Sequence, residues 1–155
     1  MKVIKESLTK IGFSELNRIK NINSNREYNV NQFAKHRDNK DAELLAYEED
    51  GDIKALAAIC KNHIGLNELF ILTIQSFEKG YGAVLLDELK NKYKNVILLC
   101  DPNSNDDLKT YYKNQKFTEV ELPETVWNKP ASLFYFGNFD YGDVYNAGIK
   151  FYNVK

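Results

Sequence analysis

The chain has 155 residues, 43% of them hydrophobic and 28% charged, with a formal net charge of −1. That length suits one domain with a buried core and leaves little room for a second. Its lysines are interspersed with acids rather than gathered into a stripe, which argues against nucleic acid or an anionic membrane as partner.

Taken in chain order, residues 3–22 carry Val3, Ile4, Leu8, Ile11, Leu16 and Ile19 at roughly helical spacing. Gly12 and Phe13 interrupt the pattern, and Ser14 is placed to cap a second short helix. Residues 21–28 read as a polar loop, and a short helix is expected around Val30–His36. From Ala42 the pattern changes. AELLAYEE, a turn at Asp50-Gly51 and IKALAAIC predict a β-hairpin, because Asp-Gly tolerates the positive φ angles of a tight turn. LNELFILTI (Leu66–Ile74) adds a third strand to this antiparallel meander. A helix is expected from about Tyr81 to Tyr93, with Val84, Leu85, Leu86, Leu89 and Tyr93 on one face and Asp87, Glu88, Lys90 and Lys92 on the other. NVILLC (Asn95–Cys100) is apolar on both sides, as in a buried strand lying parallel to a neighbour, and Pro102 ends it. Asn105 or Ser104 caps the next helix, and strands near Thr118–Leu122 and Ser132–Phe136 follow.

This order predicts an α+β fold over residues 1–155 as a single domain: a mixed, mostly antiparallel central sheet with one parallel strand pair and flanking helices. No apolar run reaches the length of a membrane span. The opening MKVIKESLTK lacks the apolar block of a secretion signal, so a cytoplasmic location is expected. The two cysteines, Cys60 and Cys100, each end an apolar run and read as core thiols. Neither they nor His36 and His63 have metal-ligand spacing, so no metal is expected.

The segment richest in chemistry is Leu66–Ala83. A strand runs into Lys79-Gly80-Tyr81-Gly82-Ala83, where a helix begins. First-turn amides of a helix lack internal partners and carry partial positive charge, so the position suits a phosphate group. Glycine lets backbone approach that phosphate closely, and Lys79 adds a formal charge. The plainer reading of Gly80 and Gly82 is a tight strand-to-helix turn. A nucleoside-triphosphate loop is disfavoured because GxxxxGK[ST] is absent, and a dinucleotide fingerprint because the third glycine is missing. Downstream, Asn105, Leu108, Tyr111 and Tyr112 precede a turn and Phe117.

From about Ala42 to Phe136 these stretches resemble the Gcn5-related N-acetyltransferase (GNAT) family. Its pyrophosphate signature, Gln/Arg-x-x-Gly-x-Gly/Ala, falls on Phe77-Glu78-Lys79-Gly80-Tyr81-Gly82, with both glycines matched and Phe77 departing. Its later signature falls on Asn105, Leu108, Tyr111 and Tyr112, ending in Lys116-Phe117 where the family usually has Gly-Phe.

The resemblance implies acetyl-CoA as cosubstrate and an amine as acceptor. Lys79, Gly80, Tyr81, Gly82 and Ala83 would hold the pyrophosphate. The backbone of Leu72, Thr73 and Ile74 would pair with the pantetheine arm where the parallel strands splay apart. Tyr112 would protonate the leaving thiolate, since a phenol of ordinary pKa near about 10 stays protonated at neutral pH. Asn105 would contact the cofactor or orient the Tyr112 helix; its simpler role is an N-cap. Glu68 sits where some family members place a catalytic glutamate, and its alternative is a surface carboxylate on the polar face of its strand. Glu121 is a weaker candidate base. His63 reads as an exposed turn histidine, and Cys100 shows no activating neighbour. A catalytically silent binding module of the same fold is the competing reading, fed by Phe77 and Lys116.

Acceptor choice is expected to lie with the N-terminal helices and with the segment after Pro123, including Trp127 and Phe134–Tyr152. The aromatic tail at about 138–155 is expected to form an extra strand or hairpin that seals the core or a homodimer, since Tyr and Phe are ordinary strand residues. An aromatic wall for a substrate or partner is the alternative.

Overall fold

A computed structural model describes residues 8–16, 19, 33–49, 51–100, 106–123 and 131–152. Val3, Ile4, the polar stretch 21–28, Val30, Asp50, Pro102, Ser104, Asn105 and Trp127 lie outside the described residues. The elements in chain order are β1 (Leu8–Ile11), a short 3-10 turn (Phe13–Glu15), β2 (Ala42–Glu49), β3 (Asp52–Lys61), β4 (Leu69–Ser76), α1 (Tyr81–Tyr93), β5 (Val96–Cys100), α2 (Asp106–Asn114), β6 (Thr118–Leu122), β7 (Ala131–Phe136) and α3 (Tyr141–Tyr152). The strands form a mixed seven-stranded sheet in the order β1-β2-β3-β4-β5-β7-β6. Its one parallel pair is β4/β5, the pair joined through helix α1 as a parallel connection requires, and the rest is antiparallel. The mixed α+β class expected from the sequence is therefore the observed one.

By packing, the chain divides into two compact units, residues 1–60 with 71–89 and residues 61–70 with 90–155. In the first, β2 and β3 form the hairpin read from the sequence, with Ala42 opposite Cys60, Glu49 opposite Asp52, a bulge between Tyr47 and Glu48, and Gly51 at φ +87°. Residues 8–11 are a strand rather than part of a helix: Leu8 lies opposite Tyr47 and Ile11 opposite Leu44. Leu8 and Ile11 stand three apart, a helical spacing that in a strand puts them on opposite faces, and pairing with a distant strand overrides it. The next turn is capped by Gly12 instead of Ser14; the Gly12 amide donates to Glu15 Oε2 at 3.1 Å while the Glu15 amide donates to the Gly12 carbonyl at 3.0 Å. Of the short helix expected at 30–36, residues 33–34 are helical and a turn follows. Ile11, Leu16, Ile19, Phe33, Leu44, Ala46, Leu56, Ala58 and Phe77 form this unit's core.

The second unit pairs β5 and β6 on either side of β7, with Val96 opposite Phe136, Cys100 opposite Ser132, Thr118 opposite Tyr135 and Leu122 opposite Ala131. Strand β4 begins here, three residues later than its apolar run suggested, with the Leu69 amide donating to the Asn95 carbonyl at 2.9 Å. Lys90, assigned to the polar face of its helix, is buried: its ammonium donates to the Gln115 carbonyl at 2.7 Å and lies 5.0 Å from the Phe136 ring centroid. A lysine tolerates this because its stem is apolar and its head finds both a carbonyl and an aromatic face.

The tail is a helix, not the extra strand or hairpin its aromatic content suggested. Asp140 caps it, accepting the Asp143 amide at 3.2 Å on Oδ2. Val144 and Gly148 are its buried residues, one helical turn apart. A Cβ on Gly148 would stand 2.7 Å from Leu133 Cδ1 and 3.0 Å from Leu122 Cδ2, so α3 rests directly on β6 and β7 and a larger residue there would have to push these leucine methyls aside. The buried spacing of four residues overrides the strand preference of the aromatics around it. Cys60 and Cys100 are buried thiols not joined in a disulfide.

Candidate functional site

Within the first unit, β4 delivers the chain into the glycine turn. Leu72, Thr73 and Ile74 are half-buried. Leu72 packs on the unit's core, and the Thr73 hydroxyl is hydrogen-bonded to His36 Nε2 at 3.1 Å. Phe77, the residue that departs from the expected polar opening of the motif, is buried in the core, and its amide donates to the Lys54 carbonyl at 2.8 Å. An apolar side chain is what that position demands, because it points inward and cannot reach a ligand. The Ser76 hydroxyl and the Tyr81 amide, the latter at 3.2 Å, both donate to the Glu78 carbonyl and close the turn.

Gly80 sits at φ +92°, a conformation that residues with a Cβ rarely adopt, and nothing lies within 4 Å of where its Cβ would be. Helix α1 starts at the next residue. The Tyr81 amide is occupied by Glu78, so the amides of Gly82 and Ala83 are the ones a helix start leaves without an internal acceptor. The turn thus combines open space over Gly80, two helix-start amides at the positive end of the dipole, and the exposed Lys79 beside them.

The Tyr81 side chain ties the turn to the hairpin. Its hydroxyl donates to Glu49 Oε1 at 2.5 Å, its ring lies 5.8 Å from that of Tyr47, and Lys54 Nζ stands 5.8 Å from its centroid. Lys54 Nζ also pairs with Glu78 Oε1 at 2.8 Å, and this bond holds the lysine above its ordinary pKa. Tyr81 is likewise raised, chiefly by its bond to Glu49. Sequence reading missed Tyr47, Glu49 and Lys54. The only signal available was that they sit on the hairpin strands, and which residues of a hairpin face a later turn depends on register.

In the second unit, Tyr112 is buried on α2, its ring 5.6 Å from Phe134, 6.0 Å from Phe117 and 5.4 Å from Tyr111. Burial, with smaller contributions from Cys100 and Tyr111, pushes its hydroxyl well above the usual phenol range. The helix ends in a Schellman arrangement: the Phe117 amide donates to the Tyr112 carbonyl at 3.1 Å and the Lys116 amide to the Lys113 carbonyl at 3.0 Å. Lys116 occupies the left-handed position at φ +76°. Lys116 thus stands where a helix end most often has glycine.

Glu68 is buried rather than on a polar face. Oε2 accepts the Ile64 amide at 2.9 Å, Oε1 accepts the Leu66 amide at 3.0 Å, and its carbonyl accepts the Asn62 amide at 2.7 Å. The 62–68 loop is folded around this side chain. His63 is not an exposed turn residue either: its ring is stacked between Phe70 at 4.8 Å and Phe151 at 4.6 Å, and burial lowers its pKa against the opposing pull of Glu68. Glu121 is exposed on β6. Glu119, unmarked in the sequence, pairs with Lys113 at 3.0 Å and Lys109 at 3.7 Å and ties α2 to β6. Asn105 lies outside the described residues. Among the described residues no group of three His, Cys, Asp or Glu side chains could hold a metal ion, and no helix is long and apolar enough to cross a membrane.

No family model and no curated protein matches the sequence. Solved structures do match the fold. A putative GNAT acetyltransferase from Bacteroides thetaiotaomicron aligns with a TM-score of 0.63 at 14% identity, over 96% of this chain and 99% of that one. A Bacillus subtilis acetyltransferase in complex with CoA aligns at 0.59 and 12%, over 88% and 100%. Spermidine N-acetyltransferase from Vibrio cholerae in complex with CoA and spermine aligns at 0.57 and 14%, over 84% and 94%. This chain has the GNAT fold. Within that fold, the glycine turn read from Gly80 and Gly82 follows the fourth strand of a seven-stranded sheet and opens helix α1.

Proposed function

We propose that this protein is an acyl-CoA-dependent N-acetyltransferase, moving an acetyl group from acetyl-CoA directly to an amine in the cytoplasm. The observation that carries the reading is the glycine turn: left-handed Gly80 with open space above it, beside the helix-start amides of Gly82 and Ala83 and the ammonium of Lys79. A pyrophosphate is the ligand such a turn favours, since it offers acceptor oxygens to the amides and negative charge to the helix start. CoA in the Bacillus subtilis and Vibrio cholerae structures supports the same ligand class. The backbone of Leu72, Thr73 and Ile74 would pair with the pantetheine amides.

The amine nitrogen attacks the thioester carbonyl carbon, the C–S bond breaks, and the nitrogen loses the proton that the sulfur ultimately gains. Tyr112 is the proposed donor to sulfur. Its buried hydroxyl stays neutral at physiological pH and can donate a hydrogen bond to the developing thiolate. A proton passed along that bond is replaced by the one the amine nitrogen loses, so that no buried tyrosinate is left. Glu68 holds two loop amides with both oxygens and supports the fold of that loop. Spermine in the Vibrio cholerae complex and the ribosomal protein S18 alanine named for the Escherichia coli enzyme span small and protein acceptors. Both are amines, and that is the acceptor class proposed here.

Calorimetric titration with acetyl-CoA, alongside CoA lacking its 3′-phosphate, tests the reading. Saturable binding with subsequent turnover of a polyamine, aminoglycoside or peptide amine is expected. No binding at millimolar acetyl-CoA would overturn it, and binding without turnover of any amine would make the protein a silent module.

A further inference from the structure

Glu78 creates an electrostatic problem for the proposed phosphate site. Its carboxylate belongs to the turn itself, two residues before Gly80, and a pyrophosphate brought to that turn would meet a like charge. The structure answers this with a residue more than twenty positions away. Lys54 on β3 holds Glu78 Oε1 at 2.8 Å. The Lys54 side chain is only 19% exposed, against 55% for Glu78, and Lys54 Nζ also faces the Tyr81 ring at 5.8 Å. The same residue's carbonyl accepts the Phe77 amide at 2.8 Å, so position 54 fixes the turn by backbone and by side chain. Lys79 makes no ion pair among the described residues, which leaves its ammonium for a ligand. Lys54 and Lys79 balance Glu78 and the Glu49 carboxylate that accepts the Tyr81 hydroxyl; without Lys54 the turn and its hairpin neighbour carry a net negative charge.

We propose that Lys54 is a positioning residue for phosphate binding at the glycine turn, neutralising Glu78 and drawing its carboxylate back toward β3. The proposal rests on the reading of that turn as the acyl-CoA site. Lys54 need not touch the ligand: it acts through Glu78. As a partly exposed ion pair it contributes little to folding stability, so its removal should be visible in binding rather than in unfolding.

The test is a charge cycle read by calorimetric CoA affinity, with thermal unfolding of each variant alongside. Lys54→Met, which keeps the apolar stem, is expected to weaken CoA binding about tenfold, the order expected for one uncancelled like charge near a pyrophosphate. The loss should shrink as salt is raised. Lys54→Arg should retain most of the affinity. Glu78→Gln alone should tighten binding, and Lys54→Met with Glu78→Gln should return affinity to near the wild-type value, because the carboxylate that needed cancelling is gone. Unchanged affinity in Lys54→Met would overturn the proposal. So would a loss that the double variant fails to recover, which would make Lys54 a support of the turn's shape and not of its charge. Absence of CoA binding by the wild-type protein would instead remove the site reading itself, and the proposal with it.

Discussion

The amide of Phe117 donates to the carbonyl of Tyr112 at 3.1 Å, and the two rings meet edge to face 6.0 Å apart. That closure ends α2 one turn past the proposed proton donor, and it requires Lys116 to sit at φ +76°. A residue with a Cβ costs about 1–2 kcal/mol in this conformation, whereas glycine adopts it without penalty. Lys116→Gly is therefore expected to stabilise the protein by about 1 kcal/mol after glycine's extra unfolded-state entropy is deducted. The denaturant midpoint checks it. A midpoint that falls would mean that the lysine side chain does more for the fold than its backbone costs.

Gly82→Asp separates stability from binding. A carboxylate in the first turn of α1 interacts favourably with the helix dipole, so unfolding should move by less than about 1 kcal/mol. The same charge faces any pyrophosphate held by the Gly82 and Ala83 amides. Acetyl-CoA affinity should drop tenfold or more while the circular dichroism spectrum stays that of the wild type. Wild-type affinity in a folded Gly82→Asp protein would show that the phosphate binds elsewhere.

Tyr112→Phe removes a hydroxyl and keeps the ring that packs on Phe117 and Phe134. The acetylation rate should fall by about 10²-fold or more, the range for loss of a general acid, with CoA affinity nearly unchanged. Single-turnover kinetics at saturating acetyl-CoA would read this directly. A full rate in the phenylalanine variant would take Tyr112 out of the chemistry and leave it as a core residue.

Much of the fold was legible because it rests on local pattern. The β2–β3 hairpin is announced by Asp50-Gly51 between apolar runs, α1 by its apolar face, and β5 by an apolar run too short for a helix. What escaped depends on partners remote in sequence. Leu8 and Ile11 become a strand only by lying opposite Tyr47 and Leu44. Helix α3 forms because Asp140 caps it and Gly148 lets it lie on Leu122 and Leu133, against the strand preference of its tyrosines and phenylalanines. The same division runs through the candidate site. Gly80 and Gly82 were visible as a motif, and Phe77 as a departure from it. The reason for Phe77 was not visible, because inward orientation is set by the Lys54 carbonyl on another strand. Glu68 looked like an accessible carboxylate because its two acceptor bonds lie within a loop whose geometry no periodicity encodes.

Alkaline pH should destabilise the protein by a route that its buried phenols define. Tyr152 is raised above its ordinary pKa by burial and by the nearby Glu68, and Tyr112 by burial first. An unfolded tyrosine ionises near pH 10, while these two keep their protons in the folded chain. Above about pH 10 the unfolded state therefore binds fewer protons, and stability falls as pH rises, by at most about 1.4 kcal/mol per pH unit for each such group. Lys54, raised by its bond to Glu78, acts in the same direction, since the stabilisation it gains is lost as pH climbs past its unfolded value. Denaturant midpoints at pH 9, 10 and 11 should fall with a steepening slope in the wild type. Tyr152→Phe should flatten that slope by the share of one group while leaving the Tyr112 contribution. Parallel slopes in the two proteins would show that Tyr152 ionises as readily folded as unfolded.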